Sequence, residues 1–564
     1  MIAKRKTSFL LALMLCGLIL ATDGGHAIEP LAPSVSALGL DGTPVSGGPI
    51  TITTRDEPSV ASPSGDQTLR LAGPVQGFDS LDPAMARDVS TVFIVRQVFR
   101  GLTRFDRDLV PVPELAKQIT ISADGMVYTF DLRDDARFHD GQPIRAQDVV
   151  FSFSRALDPE VAGGEVALLG GPTYLSDIVG AAEVMSDATN ILEGVQALDT
   201  RTVEIRLGRP SATFLMKLAS APASIVSEAD ASQGDEWWRQ PAGSGPFVVE
   251  DWVTEKRLVL ARFENYAADE ATLERVEIML GPSAGQSFNL YQQHVIDIDT
   301  VPVESIDRVL DPTSGIAAEV EKTPLFGVHF VAFRTDIAPM DDPEIRRALW
   351  LAFPRAKVAD VTYGGHVERA EGLIPSGMLG RDWPVDTPPF DPGLAQAAIA
   401  ASRYGSAGQV PLIRIYTPGG GPSESLRDAV AASTGLQIEI ISVSFSEFID
   451  GLALRRYSGY EINWFVDYPD PESLLWLLFG ASSPDNYIDY ANPAFDSLLL
   501  AASAELDVSR RAAIYAEAHQ LLIDDGVVIP FYYDAAYTLR KPYVLGLEVT
   551  PQGVMRLESI WLER

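Results

Sequence analysis

The chain contains a single cysteine, Cys16, among 564 residues. One cysteine cannot form an intrachain disulfide, and it cannot supply the two or more thiolates of a Cys-based zinc site. Basic residues are also few, with 44 Lys and Arg against 77 Asp and Glu, which gives a formal charge of −33. This charge disfavours nucleic-acid binding, because such binding depends on Lys and Arg contacts with phosphates.

Histidine and catalytic motifs are scarce as well. Only six histidines occur, and His139, His294, His329, His366 and His519 are scattered rather than grouped at the spacing of metal ligands. His519 falls outside the apolar stripe of its predicted helix, which favours exposure to solvent. The sequence has no GxxxxGK[ST] phosphate loop, no HExxH motif and no GxSxG motif, so we predict no catalytic residue, no metal site and no cofactor.

The N-terminus has the plan of a secretory signal peptide. Three basic residues at 4–6 precede an apolar run at 8–21, and Gly25-His26-Ala27 places small residues before a cleavage site. The run is shorter than the ~20 residues that a membrane span needs. We therefore predict removal of residues 1–27. The alternative is a lipoprotein, but Leu15 stands where lipid attachment needs a small residue, so an anchor at Cys16 is not expected.

Residues 28–66 are rich in Pro, Ser, Gly and Thr and lack a sustained period, which predicts a flexible tether. The alternative for residues 50–54 is an ordered extension of the first strand. Ordered structure is expected to begin at Thr68. No internal repeat of 20–50 residues is visible, which argues against a solenoid or a propeller.

Short strands and helices alternate in the remainder of the chain. Ile119 and Ile121, the turn at 124–125, and Tyr128, Phe130 and Leu132 predict a hairpin with one buried face. Amphipathic helices are predicted around 149–157 and 514–522, and Gly526 suits the end of the second helix. A strand is predicted at 527–533. This mixture predicts an α/β protein of several lobes.

The segment 464–471, WFVDYPDP, is the most informative part of the sequence. It follows a predicted strand, and its two prolines end that strand. A carboxylate and aromatic rings held at a strand end can present a negative charge to a cleft, where partial desolvation strengthens the attraction for an ammonium group. The alternative is that Asp467 caps a helix beginning at Glu472 and that Trp464 belongs to the core.

Together with six further motifs in order, this segment resembles the extracytoplasmic solute-binding proteins of the peptide, nickel and opine type, which serve ABC importers. The resemblance covers the chain from about Thr68 to Arg564. The six motifs are SLDP at 80–83, one block at 116–141 that contains GMVYTFDLR and FHDG, GSGPF at 243–247, DPEIRRAL at 342–349, NPAFD at 492–496 and VIPFYY at 528–533.

The resemblance implies a multi-lobe periplasmic-binding-protein fold of type II, a hinged clamp with an extra small lobe. Lobe I would comprise residues 67–99, 226–325 and 537–564. Lobe II would comprise 100–225 and lobe III 326–536, with the ligand enclosed between lobes I and III.

The resemblance also implies a set of ligand-binding residues. The aspartate of the W-x-x-D-Y pattern, here Asp467, would receive the α-ammonium group of a peptide, and Trp464 would line the same site. The alignment with the family places five further residues near the cleft: Val89, Thr300, Asn486, Tyr487 and Tyr533.

One position departs from the family pattern. Some oligopeptide binders carry an arginine six residues before that aspartate, within reach of the ligand carboxylate, whereas this chain has Glu461 there. Arg455 and Arg456 lie nearby at a different spacing. Arg87 or Arg414 could serve instead, and the alternative is that both are surface residues. The partner of the ligand carboxylate thus stays open.

The function implied by the resemblance is that of a periplasmic, monomeric substrate-binding component of an ABC importer. It would capture peptides or a similar small amine-bearing solute and deliver them unaltered to a permease in the inner membrane. The alternatives are a binder of a nickel-type metal chelate, an opine or an oligosaccharide in the same family. A periplasmic hydrolase is disfavoured by the missing triad, and a sensor or chaperone that hands its ligand to a receptor is compatible with the sequence.

Overall fold

The fold was analysed in a computed structural model, which describes residues 49–53, 65–266, 271–302, 305–379, 385–419, 421–483, 485–505 and 507–564. The predicted signal peptide, Cys16 and most of the predicted tether lie outside these residues. Among the described residues, no helix combines the length and the apolar character of a membrane span.

The strands, in chain order, are β1 (Ile50–Thr53), β2 (Thr68–Ala72), β3 (Thr103–Phe105), β4 (Pro111–Pro113), β5 (Ala116–Ile121), β6 (Val127–Leu132), β7 (Val195–Ala197), β8 (Thr202–Arg206), β9 (Phe247–Val253), β10 (Arg257–Arg262), β11 (Arg275–Met279), β12 (Ile298–Thr300), β13 (Val320–Phe333), β14 (Glu368–Arg369), β15 (Ile413–Thr417), β16 (Ile438–Ser442), β17 (Gly459–Phe465), β18 (Val528–Arg540), β19 (Val544–Leu545) and β20 (Trp561–Leu562).

The α-helices, in chain order, are α1 (Val89–Val98), α2 (Ala146–Arg155), α3 (Gly171–Leu175), α4 (Ala181–Met185), α5 (Phe214–Lys217), α6 (Glu228–Ala231), α7 (Ser287–Gln292), α8 (Ile306–Leu310), α9 (Pro343–Ala352), α10 (Arg355–Lys357), α11 (Pro392–Ala401), α12 (Ser423–Thr434), α13 (Phe445–Ala453), α14 (Glu472–Phe479), α15 (Pro493–Ala504) and α16 (Val508–Asp525).

A five-stranded sheet in the order β1-β5-β6-β8-β7 contains the predicted hairpin. β5 and β6 pair antiparallel, with Ile119 opposite Phe130, and the apolar side chains that alternate along both strands are buried. α2 packs Val149 and Phe153 into the same core. The hairpin and the helix are therefore confirmed. β1 pairs with β5, so Ile50–Thr53 is ordered ahead of Thr68, but as a strand of a different sheet and not as an extension of the strand at Thr68.

A four-stranded sheet in the order β2-β11-β10-β9 has its own core. Its first strand begins at Thr68, where ordered structure was expected. α1 packs against this core through Ile94, Val95 and Val98. The helix is fixed at its N-terminus by Asp88, whose side chain accepts hydrogen bonds from two main-chain amides of the first turn.

The largest sheet has the order β12-β18-β13-β17-β15-β16, with β14 paired to β18. It separates two cores, because successive side chains of a strand face opposite sides. Val328 and Phe330 of β13 face a core that includes the wholly buried α14, whereas Val331 and Phe333 face the core of α9. The predicted lobe boundaries at 325/326 and 536/537 fall inside β13 and β18, two antiparallel neighbours.

The C-terminal helix α16 ends at Gly526, which has a φ of 64°, a left-handed conformation that glycine adopts without strain. The predicted exposure of His519 on this helix is wrong. Its side chain is 4% exposed, and Nε2 accepts a hydrogen bond from the main-chain amide of Leu373 at 2.8 Å. The helical period could not show this, because the residue that covers the polar side of α16 lies 146 positions away in the sequence.

Candidate functional site

Asp467 lies just beyond the C-terminal end of β17. Its carboxylate accepts a hydrogen bond from the hydroxyl group of Tyr174, which belongs to α3. Its main-chain oxygen accepts a hydrogen bond of 2.8 Å from Nε2 of Gln552, near the C-terminus. Three distant parts of the chain thus meet at this aspartate, which fixes both its backbone and its carboxylate.

The carboxylate of Asp467 has a strongly perturbed acidity. Removal from water raises its pKa from 3.8 to about 7. The hydrogen bond from Tyr174 opposes this rise, the negative charge of Asp485 adds to it, and the positive charge of Arg96 opposes it. The free carboxylate is therefore poised between its neutral and ionised forms near neutral pH, and an incoming cation favours the ionised form.

Asp467 borders two adjoining cavities. The small cavity, of about 60 Å³, and the middle cavity, of about 160 Å³, share Arg87, Tyr174, Ile449, Trp464 and Asp467 among their lining residues. The small cavity is also lined by Thr173, Asp485 and Tyr487, and the middle cavity by Val89, Phe93 and Arg96.

A large cavity of about 580 Å³ adjoins the middle one, with which it shares Val89, Phe93, Phe465, Gln552 and Gly553. Thr300, at the end of β12, also lines it. Because neighbouring cavities share lining residues, the three lie side by side in a row from Asp467 to β12, and we call this row the path.

The path brings together five of the residues named from the sequence. Asp467, Trp464 and Tyr487 line the small cavity, Val89 lines the middle and large cavities, and Thr300 lines the large one. Asn486 and Tyr533 are not among the lining residues of any of the three.

Asn486 is buried beside the path, and its side chain is engaged within its own loop. Nδ2 donates to the main-chain oxygens of Gly480 and Tyr490, and Oδ1 accepts from the amide of Tyr490. Tyr533 faces the core on the other side of the sheet, where its hydroxyl group donates to the main-chain oxygen of Gly372 at 2.9 Å. The next residue along the strand, Asp534, lines the large cavity instead.

The helix-capping alternative for Asp467 is resolved by Asp470. The Oδ1 atom of Asp470 accepts a hydrogen bond of 3.0 Å from the main-chain amide of Glu472, the first residue of α14. Asp470 is 1% exposed and also pairs with Arg511. The structural role at the start of the helix thus belongs to Asp470, and Asp467 is left facing the cavities.

Glu461, which stands at the arginine position of some oligopeptide binders, is turned inward. It is 1% exposed, its Oε1 atom lies 3.0 Å from Nε2 of His329, and its carboxylate accepts hydrogen bonds from Ser423. Of the two arginines considered instead, Arg414 is exposed and bonds Glu439, whereas Arg87 lines the small and middle cavities.

Sequence reasoning missed Tyr174, Asp485, Gln552 and Asp534, which all line the path. Tyr174 and Gln552 reach Asp467 from elements 293 and 85 positions away, and no local pattern marks them. Asp534 carried a weak signal, because it directly follows a motif residue in a predicted strand and must face the side opposite to its neighbour. Among the described residues, no group of His, Cys, Asp and Glu is placed to hold a metal ion.

Comparison with known proteins places this site in a family. The chain matches the sequence profile of the bacterial extracellular solute-binding proteins, family 5 Middle, over residues 110–486. It is similar to the periplasmic oligopeptide-binding protein OppA of Escherichia coli, with 27% identity over 498 residues that cover 83% of this chain and 87% of OppA.

The fold also matches solved structures. The structure of the murein tripeptide binding protein MppA of Escherichia coli, 25% identical, superposes with a TM-score of 0.78 and covers 89% of this chain and 99% of MppA. The unliganded open form of MppA, also 25% identical, covers 90% and 99% of the two chains, but its TM-score is 0.66. The structure of this chain is thus less similar to the open form of MppA than to the first MppA structure. The chain belongs to the bacterial extracellular solute-binding proteins of family 5.

Proposed function

We propose that this protein is the periplasmic substrate-binding component of an ABC importer and that it captures peptides by their α-ammonium group at Asp467. The observation that carries the proposal is a desolvated carboxylate, fixed at a strand end by Tyr174 and Gln552, that borders a row of adjoining cavities. Trp464 and Tyr487 would line the ammonium end, and Val89 and Thr300 the continuation of the path.

The energetics favour an ammonium ligand at this position. A charge-assisted hydrogen bond contributes ~1.5–3 kcal/mol. Because burial already weakens the competition of water for the carboxylate, ion pairing at Asp467 is stronger than at an exposed aspartate. Arg87 lines the same two cavities as Asp467, so the carboxylate that it would meet is that of a peptide short enough to stay within them.

The names of the similar proteins support a peptide as the ligand. The relative from Escherichia coli is an oligopeptide-binding protein, and the structural neighbour MppA binds a murein tripeptide. A peptide held along the path would lie extended between surfaces, and its backbone would form hydrogen bonds in the manner of an added strand.

The long strands β13 and β18 supply the hinge that this function needs. We infer that they connect lobe I to lobe III, since the boundaries of the lobes at 325/326 and 536/537 fall within them. Their pairing is interrupted between Pro324 and Val328, which gives a place for bending. Ligand that contacts both lobes would shift the population toward the closed form, and a shift from 1:99 to 99:1 needs ~5.5 kcal/mol.

The location and the partner follow from the same proposal. The predicted signal peptide, residues 1–27, would direct the chain to the periplasm, where the mature protein would act as a monomer. The closed form would then dock on the permease and release the peptide unaltered, so the protein would bind and not catalyse.

The experiment is calorimetric titration of the mature protein, residues 28–564, with trialanine and with N-acetyl-trialanine, after mass spectrometry of any ligand that co-purifies. The proposal expects co-purified peptides and binding of trialanine that acetylation weakens at least tenfold. Equal binding of both peptides would refute the ammonium site. Hydrolysis of the trialanine during the titration would refute the non-enzymatic function.

A further inference from the structure

Two aspartates in the large cavity have unsatisfied oxygens. Asp534 of β18 and Asp299 of β12 both line this cavity, and in each the Oδ2 atom is buried without a hydrogen-bond partner. Burial raises the pKa of both carboxyl groups. A buried carboxylate oxygen that forms no bond carries a cost in free energy, so a native group in this state calls for an explanation.

The carboxylate of Asp534 packs closely against the backbone of β13. It accepts a hydrogen bond from Asn463, and this bond and His329 oppose the rise of its pKa. A Cβ atom added to Gly327 would lie 2.9 Å from both Oδ2 of Asp534 and Cε1 of Phe465, which is too close for any other residue. Glycine at this position therefore lets Asp534 and Phe465 approach β13 closely.

No basic side chain lines the described part of the large cavity. Among the residues that the structure describes around it, none is Lys, Arg or His, and Asp299 and Asp534 carry its titratable charge. The remaining walls are mainly apolar, with Phe78, Phe93 and Phe465 among them. Such walls suit the methylene stem of a long side chain whose end is charged.

The two aspartates lie at separate points. Asp299 pairs with Leu539 of β18, five residues beyond Asp534, which corresponds to ~16 Å along the strand. One cationic group cannot contact both. Asp534 is nearer to Asp467 than Asp299 is. Phe465 of β17, two residues before Asp467, pairs with Gly327 of β13, and Asp534 of β18 lies beside Gly327. The Cα atoms of Phe465 and Asp534 are therefore two strand spacings apart, ~10 Å.

We propose that the large cavity is a side-chain subsite that selects Lys or Arg in the bound peptide, with Asp534 as the ion-pair partner. The proposal rests on peptide capture at Asp467 and names the substrate class of that site. The cation pairs with the carboxylate of Asp534 where it lines the cavity and keeps it ionised, while an acidic side chain is repelled. Asp299 adds negative charge at the far end of the subsite.

The test is calorimetric titration with trialanine analogues in which Lys, norleucine or Glu replaces one alanine at position one, two or three. Norleucine matches the lysine stem without its charge. We expect Lys to bind at least tenfold more tightly than norleucine at one position, and Glu to bind more weakly than norleucine there. Equal affinities of Lys and norleucine at all three positions would overturn the subsite.

Asp534→Asn isolates the charge, because asparagine retains the shape and an oxygen for Asn463. In this variant the preference for Lys should fall below threefold, while the norleucine peptide should bind as it does to the native protein. Asp187→Asn, at an exposed position that lines none of the three cavities, is the matched control and should keep the full preference. If Asp534→Asn kept the full preference for Lys over norleucine, a residue other than Asp534 would be responsible for the selectivity.

Thermal unfolding of each variant checks that it is folded. If none of the analogues bound the native protein, the norleucine peptides included, both peptide capture at Asp467 and the subsite would be refuted. Binding of all analogues without preference would overturn the subsite alone, so the two failures are distinguishable.

Discussion

The hydroxyl group of Tyr174 donates a hydrogen bond to the carboxylate of Asp467. Tyr174 belongs to α3, which packs with the five-stranded sheet, whereas Asp467 follows β17 of the largest sheet. The donor lowers the pKa of Asp467 and so opposes the larger effect of burial.

Replacement of Asp467 by asparagine should weaken the binding of trialanine by ~10-fold or more, because the ammonium group loses its ionic partner. N-acetyl-trialanine, which has no ammonium group, should bind the native protein and the variant equally weakly. Calorimetric titration measures both, with Asp187→Asn as the variant that loses an exposed charge. An unchanged affinity for trialanine would reject Asp467 as the ammonium site.

The affinity for trialanine should rise as the pH increases from 5 to 7 and fall again above pH ~8, where the α-ammonium group of the peptide loses its proton. Binding requires the ionised carboxylate, and Asp467 is largely protonated below its pKa of about 7. Well below that pH, each unit should change the affinity by about tenfold. Titrations across this range in native protein and Asp467→Asn provide the measurement. A rise between pH 5 and 7 that Asp467→Asn shares would assign the dependence to another group.

Tyr174→Phe should move the midpoint of this pH profile upward. The variant removes the hydrogen bond that stabilises the ionised carboxylate, and it retains the ring in its packed position. At pH 7 the affinity of the variant should therefore be severalfold below that of the native protein. At pH 8.5 most of this difference should disappear. Loss of the same size at every pH would indicate damage to packing rather than a shift in acidity.

A buried ion cluster joins α5 to α14. Nζ of Lys217, which is 1% exposed, lies 2.7 Å from Asp177 and 2.8 Å from Glu472. Burial alone would raise the pKa of Asp177, but Lys217 and Arg209 outweigh it and lower the value to about 2. Asp177 thus stabilises the fold above its unfolded pKa of about 3.9, and this stabilisation is lost as the pH falls from about 4 to 2.

Lys217→Met should destabilise the protein by ~3–5 kcal/mol at pH 7, because it leaves Glu472 buried without its cation and Asp177 with Arg209 alone. Urea unfolding followed by circular dichroism measures the change. Lys256→Met, at an exposed position, should stay within ~0.5 kcal/mol of the native protein. A small loss in Lys217→Met would mean that the carboxylates gain protons or water without cost.

The elements with strong periodicity were predictable from the sequence. The hairpin of β5 and β6 and the helix around Phe153 follow from apolar spacing, because each buries one face against a core formed largely by nearby segments. The position of Asp467 at a strand end was predictable because prolines and aromatic residues mark that end, whereas its role as the ammonium site came from the family resemblance and stays a prediction. These features depend on interactions that a short window of sequence contains.

The rest of the site depends on contacts between distant segments. His519 is covered by the segment at Leu373, and the face that Tyr533 presents is set by irregular pairing of β18 with β13, which changes the register of the strand. A shift of one position exchanges the two faces of a strand. The motif therefore predicted the strand, but the residue of this strand that lines the cavity is Asp534 and not Tyr533.

The acidity of Asp467 has a consequence for the energetics of uptake. At neutral pH about half of the unoccupied molecules carry a proton on this carboxylate. Each captured ammonium group would expel that proton, so association would acidify the medium by a fraction of an equivalent. The heat of association would accordingly vary with the ionisation enthalpy of the buffer. A lower pH near the membrane surface would protonate Asp467 and so favour release of the peptide.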